Sequence, residues 1–315
     1  MEMWKYGAFW SAAMSIAACG GPAADERPKV VRLAVDETVR PLIEEMVDVY
    51  ARRYPKLSFD VRYVPEAEAL RLFEADSVRG AVLAGELPKP LLRRLKDSLN
   101  VLTTTRALAI DGVSLVVHPS NPDSALTVAQ IRDVLTGKIK TWNALTGKGT
   151  QRQIVAVFDH EQSSLVRYAV DSLLKGEKFG ANVHAAGNNA AVLEYVAKNP
   201  DALGFVGFNQ ISKAFQTGNA DELGVKTVAV ASENRDPKNY KRLADYSHYY
   251  LKTREYPLTR KLYITHREPS HGPASGFTAF AAGNDGQLIV HKTGLLPVNV
   301  VIRLVEMKEG DLRKE

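Results

Sequence analysis

Short runs of β-branched and aliphatic residues alternate along this chain with segments in which apolar positions recur every three or four residues. Val30-Val31-Arg32-Leu33-Ala34-Val35 predicts a buried strand. A helix over 40–54 follows: Leu42, Met46, Val49 and Tyr50 fall at helical spacing, Thr38 stands before it, Pro41 occupies its first turn and Pro55 stops it. The alternation continues with a strand at 58–63, a helix at 66–75, a strand at 80–84 and a helix at 89–98. Strand and helix taken in turn predict a mainly parallel sheet with helices on both faces.

The pattern then changes. A long apolar strand over 108–117, interrupted by Asp111-Gly112, ends at His118-Pro119-Ser120-Asn121-Pro122. A second alternating block follows, with helices at 128–136, 163–175 and 189–198 and strands at 154–158, 203–206 and 225–230. The polar segment 232–243 reads as an exposed insertion. A strand at 261–265, helices at 276–282 and 285–292 and a strand at 300–305 complete the chain. One α/β block, then another, then a return predicts two lobes joined by crossing strands, with a ligand in the cleft at the strand ends.

The N-terminus changes the picture of where this fold works. The apolar run from Ala8 to Ala18 is far shorter than the ~20 residues of a spanning helix and reads as the core of a signal peptide. Its ending, Ile16-Ala17-Ala18-Cys19-Gly20, resembles the lipobox of an exported lipoprotein. The expectation is a signal peptide over 1–18, cleavage before Cys19, lipidation of that thiol and a polar tether over 19–28, placing the protein on a membrane of the cell envelope, facing the periplasm or the exterior. The alternatives are an ordinary secretory leader with an incidental cysteine and a soluble protein with an apolar tail. Cys19 is the only cysteine, so stability rests on the core without disulfides.

Close to three hundred residues remain after the leader, enough for about two domains. A hydrophobic content of 45% with 24% charged residues describes a folded globular chain. The net charge of +5 is interspersed with acids and not gathered into a stripe, which argues against a nucleic-acid partner while leaving an attraction for small anions. There is no nucleophile elbow, zinc-protease motif, P-loop or dinucleotide fingerprint, and the seven histidines are scattered. His160-Glu161 beside Ser163 lacks a third group to make a hydrolase. No enzyme, cofactor or metal is therefore expected.

Four stretches carry a resemblance. They are Ala109-Ile110-Asp111-Gly112-Val113-Ser114 running on to Asn121-Pro122; Leu126-Thr127-Val128 running on to Thr136-Gly137-Lys138-Ile139; Tyr256-Pro257-Leu258-Thr259-Arg260-Lys261-Leu262-Tyr263; and Gly276-Phe277 through Gly286-Gln287 to Gly294-Leu295-Leu296-Pro297. In this order, over nearly the whole mature chain, they resemble the phosphate-binding proteins of ABC phosphate importers, type II periplasmic binding proteins, and especially their lipoprotein-anchored subgroup. The resemblance implies a two-lobed α/β fold with the second lobe inserted in the first: lobe 1 from 29–110 and 256–315, lobe 2 from 111–255. It implies a monomer that captures phosphate or a related oxyanion between the lobes and delivers it to an ABC transporter permease.

In that family the ligand contacts come from helix N-termini, whose unpaired N–H groups and partial positive charge hold an anion. Two segments match by position: Thr38 and Val39 after the first strand, and Ser163 and Ser164, with Arg167 one turn on, after the strand ending at Phe158. Asn188-Asn189, before the helix containing Val192, is a third candidate. Thr38 and Ser163 are also ordinary helix caps, a role sufficient without a ligand, and Arg167 has Asp171 as a partner at i+4. Asp111, inside an apolar strand, reads as a buried, satisfied structural group. Two positions depart from the family. Asp159 stands where an arginine is usual, and Leu83-Ala84-Gly85 offers no acceptor for a protonated phosphate oxygen unless Glu86 supplies it. These departures favour a second reading, a tethered oxyanion sensor or surface binding protein on the same scaffold without a transport role.

Overall fold

An apolar run with no alternation must be covered on both faces, and the first strand is. β1 (Lys29–Asp36) is buried through Leu33 to Asp36 and pairs in parallel with β2 (Leu57–Val64) and β3 (Gly80–Leu83). The crossovers are α1 (Arg40–Arg53), which buries Leu42, Ile43, Met46 and Tyr50, and α2 (Glu66–Glu74). This computed structural model describes residues 29–147, 151–232 and 236–299. α3 (Lys89–Arg93) continues into a wider turn ending at Ser98.

β4 (Thr104–Val117) is 14 residues long. After β5 (Ala125–Thr127), α4 (Val128–Leu135) opens on a capping box, in which Thr127 Oγ1 accepts from the Gln130 amide and Gln130 Oε1 from the Thr127 amide. The chain then forms α5 (Trp142–Thr146), β6 (Val155–Phe158), α6 (Ser164–Tyr168), β7 (Val183–Ala185), α7 (Asn189–Lys198), β8 (Ala202–Gly207) and α8 (Phe208–Gln216). β9 (Lys226–Thr227), β10 (Ala229–Ala231), α9 (Leu243–Thr253), β11 (Thr259–His266), α10 (Pro273–Ala282), α11 (Asn284–Lys292) and β12 (Leu296–Pro297) complete the described residues.

The main sheet runs β2-β1-β3-β11-β4-β8-β6-β7, with β9 and β12 also on β4. β4 is shared: its first half pairs antiparallel with β11, and its second, from Val113 to Val117, with β8. The buried apolar residues separate accordingly. One core draws on Val113 through Leu258, with Leu296; a second joins Val31 through Ala109 to Leu262 through Leu295, flanked by a smaller cluster under α2 and α3. These are two lobes, the second built from the middle of the chain and inserted into the first. They meet on β4 and β11, where Asp111 and Arg260 stand opposite each other.

Several expectations are corrected. The helix expected over 163–175 is present over 164–173, but its second half, Ala169–Leu173, is wound more widely as a π-helix. The strand expected at 225–230 divides at Val228 into β9 and β10. α8 and α9 were not anticipated. α8 leaves β8 directly, with no polar cap side chain, and α9 lacks a cap bond at Arg242 and is kinked at Tyr246. Gly207 occupies the β8–α8 joint because a Cβ there would lie 2.8 Å from Arg260 Nη2 and 3.2 Å from Asp111 Oδ2. The strand expected at 300–305, the leader and Cys19 lie outside the described residues.

Candidate functional site

Along β11, Arg260 shares its side of the strand with Leu262 and Ile264, and all three are buried. An arginine forced inward needs a counter-charge, and the antiparallel register supplies one from β4 directly opposite. Asp111 Oδ2 accepts from Arg260 Nε at 2.9 Å and from Nη2 at 2.8 Å. The remaining donors reach one hydroxyl in each lobe: Nη1 donates to Ser164 Oγ at 2.7 Å and Nη2 to Thr38 Oγ1 at 3.0 Å. The two hydroxyls are themselves 3.3 Å apart, although 126 positions separate them in sequence.

Local structure sets both hydroxyls. β1 ends at Asp36, whose Oδ1 accepts from the Thr38 amide at 3.1 Å and so folds Glu37–Val39 into a 3₁₀ turn. The Thr38 amide is thereby used, and its hydroxyl is the group that faces the guanidinium. At the second turn Ser163 is the helix cap, its Oγ accepting from the Val166 amide at 3.2 Å, which leaves Ser164 as the residue that meets Arg260.

Acids outnumber bases here. Asp36, Asp111 and Asp159 are all buried, and each keeps one carboxylate oxygen without a partner. Burial, reinforced by the Glu66 carboxylate and opposed by Arg260, pushes Asp36 up to about 7. Burial likewise raises Asp111, against the pull of Arg260, and Asp159, against its bond from Ser163. Burial alone would lower Arg260, but Asp111 and Asp36 outweigh it and hold the guanidinium charged.

A second layer clamps the lobes around this centre. Glu66, buried at the start of α2, receives Arg167 Nε at 2.6 Å and Nη2 at 3.0 Å, together with the Ala84 amide at 2.9 Å; Arg167 Nη2 also donates to the Ala84 carbonyl. Arg167 therefore has Glu66 as its main partner, with Asp171 at 3.5 Å. Asn189 Nδ2 donates to Glu37 Oε2 at 2.6 Å and Asp159 Oδ2 at 3.4 Å. Gln210 Nε2 donates to the carbonyls of Glu37 and Thr38, and the Leu42 amide to Asn209 Oδ1. Beside these contacts a cavity of about 530 Å³ opens between the lobes, lined by Glu37, Arg40 and Tyr63 on one side and Asp159, His160 and Asn188 on the other.

Of the residues singled out from sequence, Thr38 and Ser164 are brought together. Ser163 supports Ser164 as its cap, and the Val39 side chain belongs to the first lobe's core. Arg167 lies in the clamp, and Asn188 is exposed and caps α7 through the Ala191 amide. Asp111 is buried, as anticipated, and accepts from Arg260, but it is not fully satisfied, since its Oδ1 has no partner. Arg260 and Glu66 were missed; Asp36 and Asn189 lay within the matched segments, Asn189 as a candidate beside Asn188. A signal existed for the first: Arg260 has the same parity as Leu262 and Ile264, and Asp111 sits at the matching point of the other crossing strand. A guanidinium fork flanked by two hydroxyls suits a tetrahedral oxyanion. No cluster of His, Cys, Asp and Glu able to hold a metal ion occurs among the described residues.

The PBP superfamily domain matches residues 22–282. The chain is 21% identical over 287 residues to the phosphate-binding protein PstS of Pseudomonas aeruginosa, covering 87% of this chain and 84% of that one. It is 24% identical over 198 residues to PstS of Staphylococcus aureus, covering 62% and 58%. Among solved structures, a Clostridium perfringens protein assigned as a phosphate ABC transporter substrate-binding protein, with bound phosphate, superposes with a TM-score of 0.68 at 20% identity over 86% of this chain and all of that one. An ABC-type phosphate transport receptor from Vibrio cholerae superposes with a TM-score of 0.60 at 19% identity, covering 84% and 99%.

Proposed function

The chain belongs to the PBP superfamily, and from that premise we propose that it is an extracytoplasmic solute-binding protein that captures phosphate, or a related tetrahedral oxyanion, between its lobes and delivers it to an ABC transporter. The observation that carries this reading is the buried cluster of Arg260, Thr38 and Ser164, in which one fixed cation and one hydroxyl from each lobe converge. An anion that exchanges the hydroxyl–hydroxyl contact for its own oxygens ties both lobes to the guanidinium, so its binding energy favours the closed arrangement. Arg260, arriving on a crossing strand, takes the part that an arginine at position 159 would otherwise play. The solved phosphate transport proteins with the same fold support this reading, as do the curated PstS relatives.

The finer assignments are lobes 29–110 with 256–315 and 111–255, a monomer, and attachment to the envelope membrane through lipidated Cys19, followed by the tether over 19–28. The acidic surplus around Arg260 favours a second reading, in which the same scaffold works as a tethered sensor without a permease partner.

Isothermal titration of phosphate into the protein, its Ser164→Ala and its Thr38→Val variants tests the site. Each substitution removes one hydrogen bond to a charged ligand, so affinity should fall by about 1.5–3 kcal/mol per variant. Unchanged affinity in both variants refutes the cluster as the binding site, and failure of the intact protein to bind any oxyanion at millimolar concentration refutes the function.

A further inference from the structure

The strands of the first lobe run between two poles, and charge is divided between them. At the cleft pole stand acids: Asp36 ends β1, Glu66 follows β2 and Glu86 follows β3. Strand pairing fixes what shares the other pole. Lys29 stands opposite Leu57, Leu33 opposite Gly80, and His266 opposite both Gly80 and Thr104. The start of β1, the α1–β2 turn, the Arg79 turn and the 98–103 segment that enters β4 therefore lie along one edge, four strand spacings or roughly 19 Å wide. That edge is unusual in two ways. It carries Leu102 at 76% exposure, Leu99 at 51% and Tyr54 at 44%. Around them Lys29, Arg52, Lys56 and Lys96 are exposed and form no ion pair among the described residues. The acids of this pole are mostly engaged: Asp76 pairs with Arg79 and Arg267, Glu74 with Arg94, and Glu268 accepts from the Ala274 and Ser275 amides, leaving Asp97 on the turn.

Exposed leucines and a tyrosine set among unpaired cations suit the surface of an anionic bilayer, whose headgroups attract the lysines and whose interfacial layer takes in the apolar side chains. We infer that this pole of the first lobe rests on the anionic face of the membrane to which the chain is anchored. The inference builds on the reading of Cys19 as the lipidated residue. Ten residues, 19–28, separate the fold from that anchor, a reach of at most about 35 Å, and they join it at Lys29, on the pole itself. Anchoring therefore brings this edge, and not the cleft, first to the bilayer. The same anionic surface repels the acids at the cleft pole, so the contact leaves the cleft open toward the solution from which ligand is captured.

The test uses the chain from Gly20, which keeps every described residue and lacks leader and lipid, so that vesicle binding reports the pole alone. In co-sedimentation it should bind phosphatidylcholine vesicles containing about one third phosphatidylglycerol, and lose them in high salt or when the anionic lipid is left out. Lys56→Gln with Lys96→Gln should lower partitioning about tenfold or more, since one cation near such a surface contributes about fivefold. Leu99→Ser with Leu102→Ser should weaken it to a similar degree. Lys178→Gln with Lys213→Gln removes the same charge from exposed sites on the second lobe and should change it less than about twofold. Circular dichroism confirms that the variants are folded. No binding to the mixed vesicles, equal binding to pure phosphatidylcholine, or an equal loss from the second-lobe pair overturns the inference. So does self-association that depends on the two leucines without vesicle binding, which assigns the pole to a second copy of the chain. The anchor is judged separately: lipidated Cys19 found on the native protein whose pole binds no vesicles refutes this inference and leaves the anchor standing.

Discussion

Replacing Arg260 by methionine removes the cation from a site in which Asp111 is fully buried and the Arg260 side chain is 2% exposed. Asp111 then keeps neither of its two guanidinium bonds, and Asp36, whose charge Arg260 also offsets, loses that support. Stranding one partner of a buried ion pair costs about 3–5 kcal/mol, whereas replacing both partners with apolar residues of similar volume is often neutral or stabilising. Arg260→Met should therefore lower unfolding free energy by about 3–5 kcal/mol, and Arg260→Met with Asp111→Val should recover most of that loss. Urea unfolding followed by far-ultraviolet circular dichroism and by the fluorescence of buried Trp142 completes the double-mutant cycle. The double variant should nevertheless fail to bind phosphate, which separates the stabilising role of the pair from its role toward the ligand. A cost below about 1 kcal/mol for Arg260→Met, or a double variant as unstable as the sum of the singles, refutes the reasoning, because either result means that Asp111 does not depend on Arg260.

Four further outcomes are expected, three from the same geometry and one from the N-terminal sequence. Asp36 titrates at about 7 in the folded protein against an ordinary 3.8, so between those values the native state holds a proton that the unfolded chain has released; stability should fall as pH rises through this window, and Asp36→Asn should flatten the fall in urea titrations run across it. Phosphate affinity should weaken over the upper part of the same window, since deprotonation adds a negative charge beside the anion, and calorimetry at pH 6 and 8 reads the sign. A Cβ at Gly85 would lie 2.7 Å from Arg167 Nη2, so Gly85→Asp should disturb the Arg167–Glu66 clamp and bring no gain in preference for phosphate over sulfate, measured by competition. Mass spectrometry of membrane-extracted protein should find lipidated Cys19 at the mature N-terminus; an unmodified N-terminus elsewhere rules the anchor out.

The fold was largely legible because its signals are local. The first lobe's strands and helices follow from β-branched runs, Pro41 and Pro55, and α7 spans the residues its periodicity predicts. α8 escaped notice because it grows straight out of β8 through a glycine required by the bulk of Arg260, a tertiary cause with no local mark. The site was half legible for a related reason. Thr38, Ser163 and Ser164 announce themselves as turn and cap residues next to strands. Arg260 sits in Thr259-Arg260-Lys261, which reads as a charged strand end until the parity with Leu262 is counted and the facing strand is known. Glu66 looks like an acid in a first helical turn, and only the packed lobes reveal that it receives the Ala84 amide and Arg167 together. Asn188 and Asn189 illustrate the limit: one caps the helix and the other crosses to the opposite lobe, a division that depends on a half-turn of backbone.

The central claim, that an oxyanion is held where the lobes meet at Arg260, is tested most directly by locating the anion. Crystals grown with arsenate, a tetrahedral analogue of phosphate, give an anomalous signal at the arsenic edge. The account predicts one strong peak within hydrogen-bonding reach of Arg260 Nη1, Thr38 Oγ1 and Ser164 Oγ, absent from crystals of Arg260→Met with Asp111→Val. A peak confined to another surface, or one that persists at this position in the double variant, contradicts it.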